Sequence, residues 1–288
     1  MGQTIACANQ KGGVGKTTTV VNLATYLALA GERTLVIDLD PQGNATSGLG
    51  IEKGAVERSV YDVIVGTASL TQAAVPTVID GLDLVPSSPS LAGAEVELAT
   101  LMARERRLAN TVGPDIDGYD YIIIDCPPSL GLLTVNALTA AEAVLIPIQC
   151  EYYALEGVSQ LTATVNLVRD HLNPDLEIKG VVLTMYDART NLSSEVAAEV
   201  RRHLGPMVYD TIIPRSVRLS EAPSHGLPIA LYRPESKGAE AYRDFAAEFR
   251  RRERKARERD LARTTDAARA TAVPMAIPLE PVLRSAER

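Results

Sequence analysis

Ten residues near the N-terminus, NQKGGVGKTT, combine glycines, lysines and hydroxyls at a spacing that suits phosphate binding. The general phosphate-binding loop reads G-x-x-x-x-G-K-[ST]; Gly15, Lys16 and Thr17 fit it, but Gln10 stands at the leading glycine position. In such a loop backbone N–H groups converge on phosphate oxygens, the lysine bridges the β- and γ-phosphates, and the hydroxyl holds Mg²⁺. The predicted nucleotide contacts are Gly12, Gly13, Val14, Gly15, Lys16, Thr17 and Thr18. A second lysine, Lys11, has no obvious task within its own chain.

Aspartates at the ends of apolar segments supply the carboxylates that a nucleotide site needs near its metal. In YIIIDCPPS, Asp125 ends an apolar strand, where a carboxylate can orient a water molecule on Mg²⁺ as in the Walker B arrangement. In VIDLDPQGN, Asp38 and Asp40 are two residues apart, which on a strand directs both side chains to one face. One could approach the metal while the other orients the attacking water. Such aspartates also cap loops, and that simpler role stays open for either segment alone.

The elements that position these residues alternate along the chain. Runs rich in Val and Ile predict strands covered on both faces, and segments of helical period separate them. This order predicts an α/β fold, a doubly wound and mostly parallel sheet flanked by helices, with functional loops at the carboxyl ends of the strands. The predicted strands are 3–8, 33–40, 82–85, 121–126, 143–149, 179–185, 207–213 and 228–231. The predicted helices are 16–30, 59–66, 91–110, 130–139, 155–171, 191–204 and 236–262.

Composition and charge narrow the class of protein. Hydrophobic residues make up 46%, aromatic residues 4%, and Trp is absent, so the core is expected to be aliphatic. Cys7, Cys126 and Cys150 stand in apolar runs, as reduced buried thiols of a cytosolic protein do. No leader peptide and no apolar run of about 18 residues is found, which predicts a cytoplasmic protein. The net charge of −7 restricts nucleic-acid contact to a local cluster of arginines.

One globular domain is predicted for residues 1–255, followed by a charged, flexible extension at 256–288. RRERKARERDLAR is charged at nearly every position, and three prolines further on prevent a continuous helix, so residues from about 264 onward are expected to be flexible. Residues 251–288 carry ten Lys and Arg against six Asp and Glu. This charge of +4 suggests auxiliary DNA contact, but a solvated extension is the preferred interpretation.

Six segments in order resemble the ParA/Soj group of chromosome and plasmid partition ATPases, which carry a deviant phosphate-binding loop. They are KGGVGKTT, DLDPQGN, IIIDCPPS, EYYALEG, TMYDART and PRSVRLSEAPSHG, and the resemblance covers roughly residues 3–250. It implies a nucleoid-associated ATPase, without membrane contact, that uses ATP and Mg²⁺ and forms an ATP-dependent homodimer. It further implies non-specific binding of double-stranded DNA and slow ATP hydrolysis stimulated by a centromere-binding ParB-type partner.

The resemblance also implies catalytic roles. Lys11 is implied to reach across a two-fold interface to the nucleotide of the partner subunit, which would make ATP hold the dimer together. A cation added beside the phosphates stabilises developing charge and is absent until the partner arrives. Lys11, Lys16 and Asp40 form the implied catalytic set, with Asp40 activating water. Gly12 is implied to be the position where a side chain would obstruct the approach of two subunits.

Metal, adenine and DNA contacts are implied in the same way. Thr17 is the implied magnesium ligand, with Asp125 acting through water and Asp38 as a further candidate. Met185 and Pro214 are similar to the adenine-side contacts. The family's DNA contacts match Arg189 and Arg218, with Arg215 as a third candidate; the alternative is that these are ordinary surface arginines. An arginine fork suits phosphate, and dimerisation would concentrate charge that the acidic body lacks.

Three other functions compete with this interpretation. A MinD-like positioning ATPase shares the loop but needs a C-terminal amphipathic helix to lie on a membrane, and the tail is broken by prolines. A nitrogenase-type iron protein needs two thiolates per subunit, and no loop cysteine besides Cys126 is available. A nucleotide-dependent scaffold that does not hydrolyse ATP shares every motif, so motif analysis leaves it open.

Overall fold

The computed structural model describes residues 2–112, 118–151 and 154–271. The chain divides into two compact units, Met1–Glu248, which contains the whole sheet, and a second unit that begins at Phe249. No helix in the described part of the chain combines the length and the apolar character that crossing a membrane requires.

Eight strands of the described residues form one sheet, which confirms the predicted α/β architecture. They are β1 (Gln3–Cys7), β2 (Thr34–Asp38), β3 (Val75–Pro76), β4 (Leu82–Val85), β5 (Tyr121–Asp125), β6 (Ala143–Gln149), β7 (Glu177–Tyr186) and β8 (Val208–Pro214). Their order is β3-β4-β2-β5-β1-β6-β7-β8, and all neighbours are parallel except β3 and β4. Every residue of β2 and β5 is buried, as expected of apolar strands covered on both faces.

Helices connect the strands and cover the sheet. They are α1 (Lys16–Leu29), α2 (Asn44–Gly48), α3 (Val60–Val65), α4 (Leu70–Ala73), α5 (Leu91–Leu98), α6 (Ala109–Val112), α7 (Leu132–Ala140), α8 (Ala154–His171), α9 (Asn191–Leu204), α10 (Val217–Glu221), α11 (Ile229–Tyr232) and α12 (Lys237–Thr271). The helix predicted after the glycine loop is α1. It is followed by Gly31 at φ 88°, a left-handed conformation that glycine adopts without steric cost.

Two predicted elements are wrong. The strand at 228–231 is the single turn α11, whose first amide, from Ile229, donates to Oδ1 of Asn22 on α1 at 2.9 Å. The helix at 91–110 stops at Leu98, and Ala103 at φ 50° separates α5 from a 3₁₀ turn and α6. The helix predicted at 236–262 is α12, which runs on to Thr271, and the flexibility of the extension stays a prediction. Residues 272–288 of the predicted extension lie outside the described residues.

Candidate nucleotide-binding site

The register of the three central strands aligns the glycine loop with two aspartates. Cys7, the last residue of β1, pairs with Asp125, the last residue of β5, and Asp125 pairs with Asp38, the last residue of β2. Because neighbouring strands lie about 4.8 Å apart, the loop that follows β1 starts beside Asp125, and Asp38 lies one strand further along the same edge. The sequence placed these residues at strand ends, and the strand order brings them together.

Lys16 occupies the inside of the glycine loop. Its Nζ donates to the carbonyl oxygens of Asn9 at 3.0 Å and Lys11 at 3.3 Å, and the residue is only 6% exposed. Asn9 fixes the loop in turn, because its Oδ1 accepts from the Lys11 amide at 3.0 Å and its Nδ2 donates to the Pro147 carbonyl on β6 at 2.7 Å. The loop therefore holds one ammonium group on its concave side, where phosphate oxygens are expected.

The Lys11 side chain lies at the surface of the same loop. Its side chain is 38% exposed, and its Nζ lies 3.6 Å from Oε2 of Glu151. Oε1 of Glu151 accepts from Nη2 of Arg215 at 3.0 Å. Glu151 opens the EYYALEG segment, in which residues 152 and 153 lie outside the described residues. The two lysines of one loop thus have opposite settings, one enclosed by backbone carbonyls and one at the surface.

Asp38 and Asp40 differ in what surrounds them. Oδ2 of Asp38 accepts from the amide and the hydroxyl of Thr46 at 2.7 and 2.6 Å, and Oδ1 accepts from the Asp40 amide at 3.3 Å. Asp38 therefore anchors α2, a structural role that the sequence did not indicate. Oδ1 of Asp40 accepts from the Gln42 amide at 2.9 Å, which is the loop-capping contact left open above. Its role in water activation stays a prediction.

Asp125 is the group in this site that most needs a ligand. Both of its carboxylate oxygens are buried and lack a hydrogen-bond partner among the described residues. Its pKa is raised well above the ordinary value, because burial removes the carboxyl from water and Asp38 adds negative charge beside it; the nearby Thr17 hydroxyl and Lys16 ammonium oppose the shift. A buried carboxyl next to the loop hydroxyl fits a hydrated Mg²⁺ ion, which binds through oxygen ligands and retains several waters.

The loop glycines are required for different reasons. Gly13 and Gly15 have φ of 74° and 88°, which L side chains rarely adopt. Gly12 lacks a positive φ, and a Cβ built on it would meet only the Pro128 Cβ, at 3.8 Å, among the described atoms. The chain itself therefore has room for a side chain at Gly12, and the role of this glycine toward a second subunit stays a prediction.

A cavity of about 600 Å³ extends from the loop along the carboxyl ends of β7 and β8. Gly15, Thr17 and Thr18 form one wall, and both predicted adenine contacts, Met185 and Pro214, line it. Met185 has φ 51°, a conformation uncommon for a residue other than glycine and frequent near ligand sites. Further lining residues not identified from sequence include Asn22, Asn44, Ser47, Leu219, Ser224 and Tyr242.

Comparison with known proteins gives the chain a family. A family model described as an AAA domain matches residues 2–178. The sporulation initiation inhibitor protein Soj of Bacillus subtilis is 60% identical over 248 residues, which cover 86% of this chain and 98% of that protein. The chromosome partitioning protein ParA of Caulobacter vibrioides is 53% identical over 256 residues, which cover 87% of this chain and 94% of that protein. The chain belongs to the ParA/Soj family.

Solved structures agree with the ParA/Soj fold. Cobyrinic acid a,c-diamide synthase of Mycobacterium smegmatis, with bound ADP and magnesium, is 40% identical with a TM-score of 0.75, covering 86% of this chain and 93% of its own. The septum site-determining protein MinD of Pyrococcus horikoshii, complexed with Mg-ADP, is 26% identical with a TM-score of 0.73, covering 86% and 96%. The identity to MinD is less than half that to Soj, so MinD is the weaker match.

Each arginine that the ParA/Soj resemblance assigns to DNA is paired with a carboxylate. Nε and Nη2 of Arg189 donate to Asp187 at 2.8 and 2.7 Å, and Nη1 of Arg218 donates to Glu221 at 2.7 Å. Both arginines are well exposed, with 85% and 52% of their side chains accessible. Arg215, the third candidate, lines the cavity and pairs with Glu151, which places it beside the nucleotide site.

The three cysteines of this ParA/Soj chain are buried and reduced, as predicted. Burial raises the pKa of Cys7 and Cys126, with further contribution from the negative charge of Asp125, and burial raises the pKa of Cys150 to about 11. Among the described residues, no group of three or more His, Cys, Asp or Glu side chains is placed to hold a metal ion.

Proposed function

We propose that this chain is an ATP-driven partition switch of chromosomes or plasmids. In this proposal it is a monomer without ATP and a face-to-face dimer with ATP, the dimer holds DNA without sequence preference, and hydrolysis returns it to monomers. The proposal includes a ParB-type partner that stimulates hydrolysis and a nucleoid-associated location, both of which membership of the ParA/Soj family supports.

This proposal rests on the different environments of the two loop lysines, one enclosed and one exposed. Lys16 is 6% exposed and held inside the loop by two carbonyls, so it is placed to move onto phosphates bound by its own chain. Lys11 leaves the same loop toward the surface and is restrained by one ion pair with Glu151 at 3.6 Å. Exposed ion pairs of this kind stabilise little, so a second nucleotide could compete for Lys11 readily.

The carboxylates of the site fit the chemistry of ATP hydrolysis. Magnesium neutralises charge that develops on the phosphate oxygens. Thr17 and Asp125 are the residues that would hold the hydrated ion, since a hydroxyl and a buried, unpartnered carboxyl lie next to each other. Asp40 is buried two residues after the end of β2 and would orient the attacking water. Gly15 and the backbone N–H groups that begin α1 would hold the phosphates at the positive end of the helix.

The decisive experiment measures DNA binding of the full chain with ADP, with ATP and with a poorly hydrolysed ATP analogue, while the molecular mass is followed in parallel. Tight binding and dimerisation should both require ATP or the analogue. Gly12→Ala is the matched control: a Cβ has room within the chain, so nucleotide binding should persist while the dimer weakens. Equal DNA affinity in ADP and ATP, with an unchanged monomer mass, would contradict the proposal.

A scaffold that binds ATP without turning it over has the same site residues. Phosphate release, measured with and without DNA, separates it from an ATPase. A MinD-like function is the second alternative, and sedimentation with anionic vesicles tests it. Vesicle binding that depends on ATP, in the absence of DNA binding, would favour that alternative.

A further inference from the structure

A second charged surface lies outside the nucleotide site, on α12. Residues 250–259, RRRERKARER, contain seven cationic against two anionic residues, a net charge of +5 in a chain of net charge −7. The sequence predicts a helix over 236–262, and the whole segment lies on α12, which runs through Thr271. A helix gives these charges fixed relative positions, which a flexible tail would not.

The helix gathers four of the cations on one side. Arg251, Arg254, Lys255 and Arg259 are spaced i, i+3, i+4 and i+8, and all four are exposed. We call this set the basic stripe. It is about 12 Å long at 1.5 Å per residue. Glu258, also exposed, lies within the stripe and is its one acidic member.

The dimensions of the stripe suit a nucleic-acid backbone. One strand of duplex DNA carries a phosphate about every 3.4 Å along the axis, so about three to four phosphates lie within the length of the stripe. A membrane surface fits less well, because Ala256 is the only nonpolar residue of the segment and a membrane-bound helix needs an apolar face to insert. Lys and Arg without such a face bind phosphates through charge and counterion release.

We propose that the basic stripe is a second DNA-binding surface, one that holds duplex DNA through its phosphates in the absence of nucleotide. All four cations lie on one helix of one chain, so they are together before any dimer forms. Arg189 and Arg218, in contrast, are implied to act as pairs joined by dimerisation. The inference takes the identity of its ligand from the proposed function, but it concerns different residues and a different nucleotide state.

The test uses the full chain without nucleotide and a labelled DNA duplex at low salt. The test variant replaces two of the four stripe cations, Arg254→Gln with Lys255→Gln. Its DNA affinity should be lower than that of the parent by roughly 60-fold at about 0.1 M salt and roughly 20-fold at about 0.2 M salt. The reason is that each phosphate contact contributes a slope of about −0.9 in log K against log salt. The slope itself should become shallower by about 2. Unchanged affinity and slope in this double variant would overturn the inference.

Glu258→Gln is the matched control and should act in the opposite direction. Removing the acidic group from the stripe should tighten nucleotide-free DNA binding severalfold, because a repulsion with phosphate is lost. Weaker binding in both variants would point to damage of the helix and contradict the inference. Binding of phosphatidylglycerol vesicles in place of DNA, lost in the double variant, would also overturn it, since the stripe would then be a membrane contact.

The same titration distinguishes failure of this inference from failure of the proposed function. With the ATP analogue, Arg218→Ala should reduce the additional affinity gained on dimerisation. The double stripe variant should reduce nucleotide-free binding and leave that additional affinity in place. If ATP adds no affinity while the stripe variants still change binding, the partition switch fails and the second surface stands.

Discussion

The nucleotide site and the two exposed arginines implied to bind DNA, Arg189 and Arg218, both depend on charged groups. We call these two arginines the arginine surface, and their charges are held differently from those of the nucleotide site. Lys16, Asp38 and Asp125 are at most 6% exposed, whereas the side chains of Arg189 and Arg218 are 85% and 52% exposed. A buried charge interacts strongly with its neighbours, because little water screens it, whereas an exposed ion pair contributes little. Single substitutions should therefore abolish function at the nucleotide site and only weaken it at the arginine surface.

The largest effect is expected from the two loop lysines. Lys16→Ala should lower ATP affinity roughly a hundredfold or more, because it removes a buried, charge-assisted contact to phosphate. Lys11→Ala should leave ATP affinity of the monomer nearly unchanged and remove ATP-dependent dimerisation. Nucleotide titration and molecular-mass measurements test both statements. Equal loss of ATP affinity in the two variants would show that Lys11 and Lys16 do not have different roles.

Asp40 is expected to affect turnover without affecting assembly. Asp40→Ala should bind ATP, dimerise and remain on DNA, but hydrolyse ATP on the order of a hundredfold more slowly, since the loss of a positioned base or orienting group costs about that much. Asp40→Asn is the informative control, because the amide oxygen can still accept from Gln42. Normal turnover in Asp40→Asn would mean that Asp40 caps a loop and activates no water.

Asp125→Asn should separate stability from function. The folded-state pKa of Asp125 is raised above the unfolded value, so its contribution to stability is present at low pH and is lost as pH rises through the raised pKa. The nucleotide-free variant lacks this loss, so its free energy of unfolding should exceed that of the parent by about 1–3 kcal/mol. The difference should widen toward alkaline pH. It should also lose Mg²⁺-dependent ATP affinity. Thermal unfolding over a pH series checks this, and a parent that is more stable at every pH would refute it.

Arg218→Ala should change DNA binding only gradually. In the ATP-bound dimer it removes one phosphate contact per subunit, so the slope of log K against log salt should become shallower by about 2, while dimerisation persists. A salt titration with the ATP analogue measures the slope. An unchanged slope in this variant and in Arg189→Ala would place the nucleotide-dependent DNA surface elsewhere.

The smallest effect is expected at Asp187, which engages the fork of Arg189 with both oxygens. Asp187→Asn should tighten DNA binding about two- to fivefold, because the carboxylate no longer competes with phosphate for the arginine. The gain should vanish when Arg189 is also replaced by Ala, which a double-mutant cycle would reveal. A gain of equal size without Arg189 would show a general charge effect.

Residues that act through their position in a motif could be predicted from the sequence. Lys16, Thr17 and Asp125 lie together because a loop and a strand end are fixed by local pattern and parallel pairing. Their long-range partners could not be predicted. Asn9 is held by Pro147, 138 positions away, and the Val14 carbonyl accepts from Thr184, 170 positions away. Such contacts depend on strand order, which the spacing of motifs does not specify.

Short elements were the other source of error. The apolar run at 228–231 has strand composition, yet a run this short carries no usable periodicity, and the docking of Ile229 on Asn22 selects a helical turn. No glycine or proline marks the break after Leu98 in the sequence. The residue that adopts the left-handed conformation there is Ala103. Charged, helix-favouring residues continue α12 to Thr271, nine residues beyond the predicted end at 262, and the first proline follows only at 274.

The strand order also determines when the nucleotide site can first exist during synthesis. Gln3 pairs with Tyr121, and on the other edge Ile5 pairs with Ala143, so both neighbours of the central strand are made long after it. At about 5–20 residues per second, the ribosome takes roughly 6–24 s to add the 118 residues between Gln3 and Tyr121. The phosphate-binding loop follows that central strand directly. A nascent chain therefore gains no stabilisation from ATP until nearly half of it has been made.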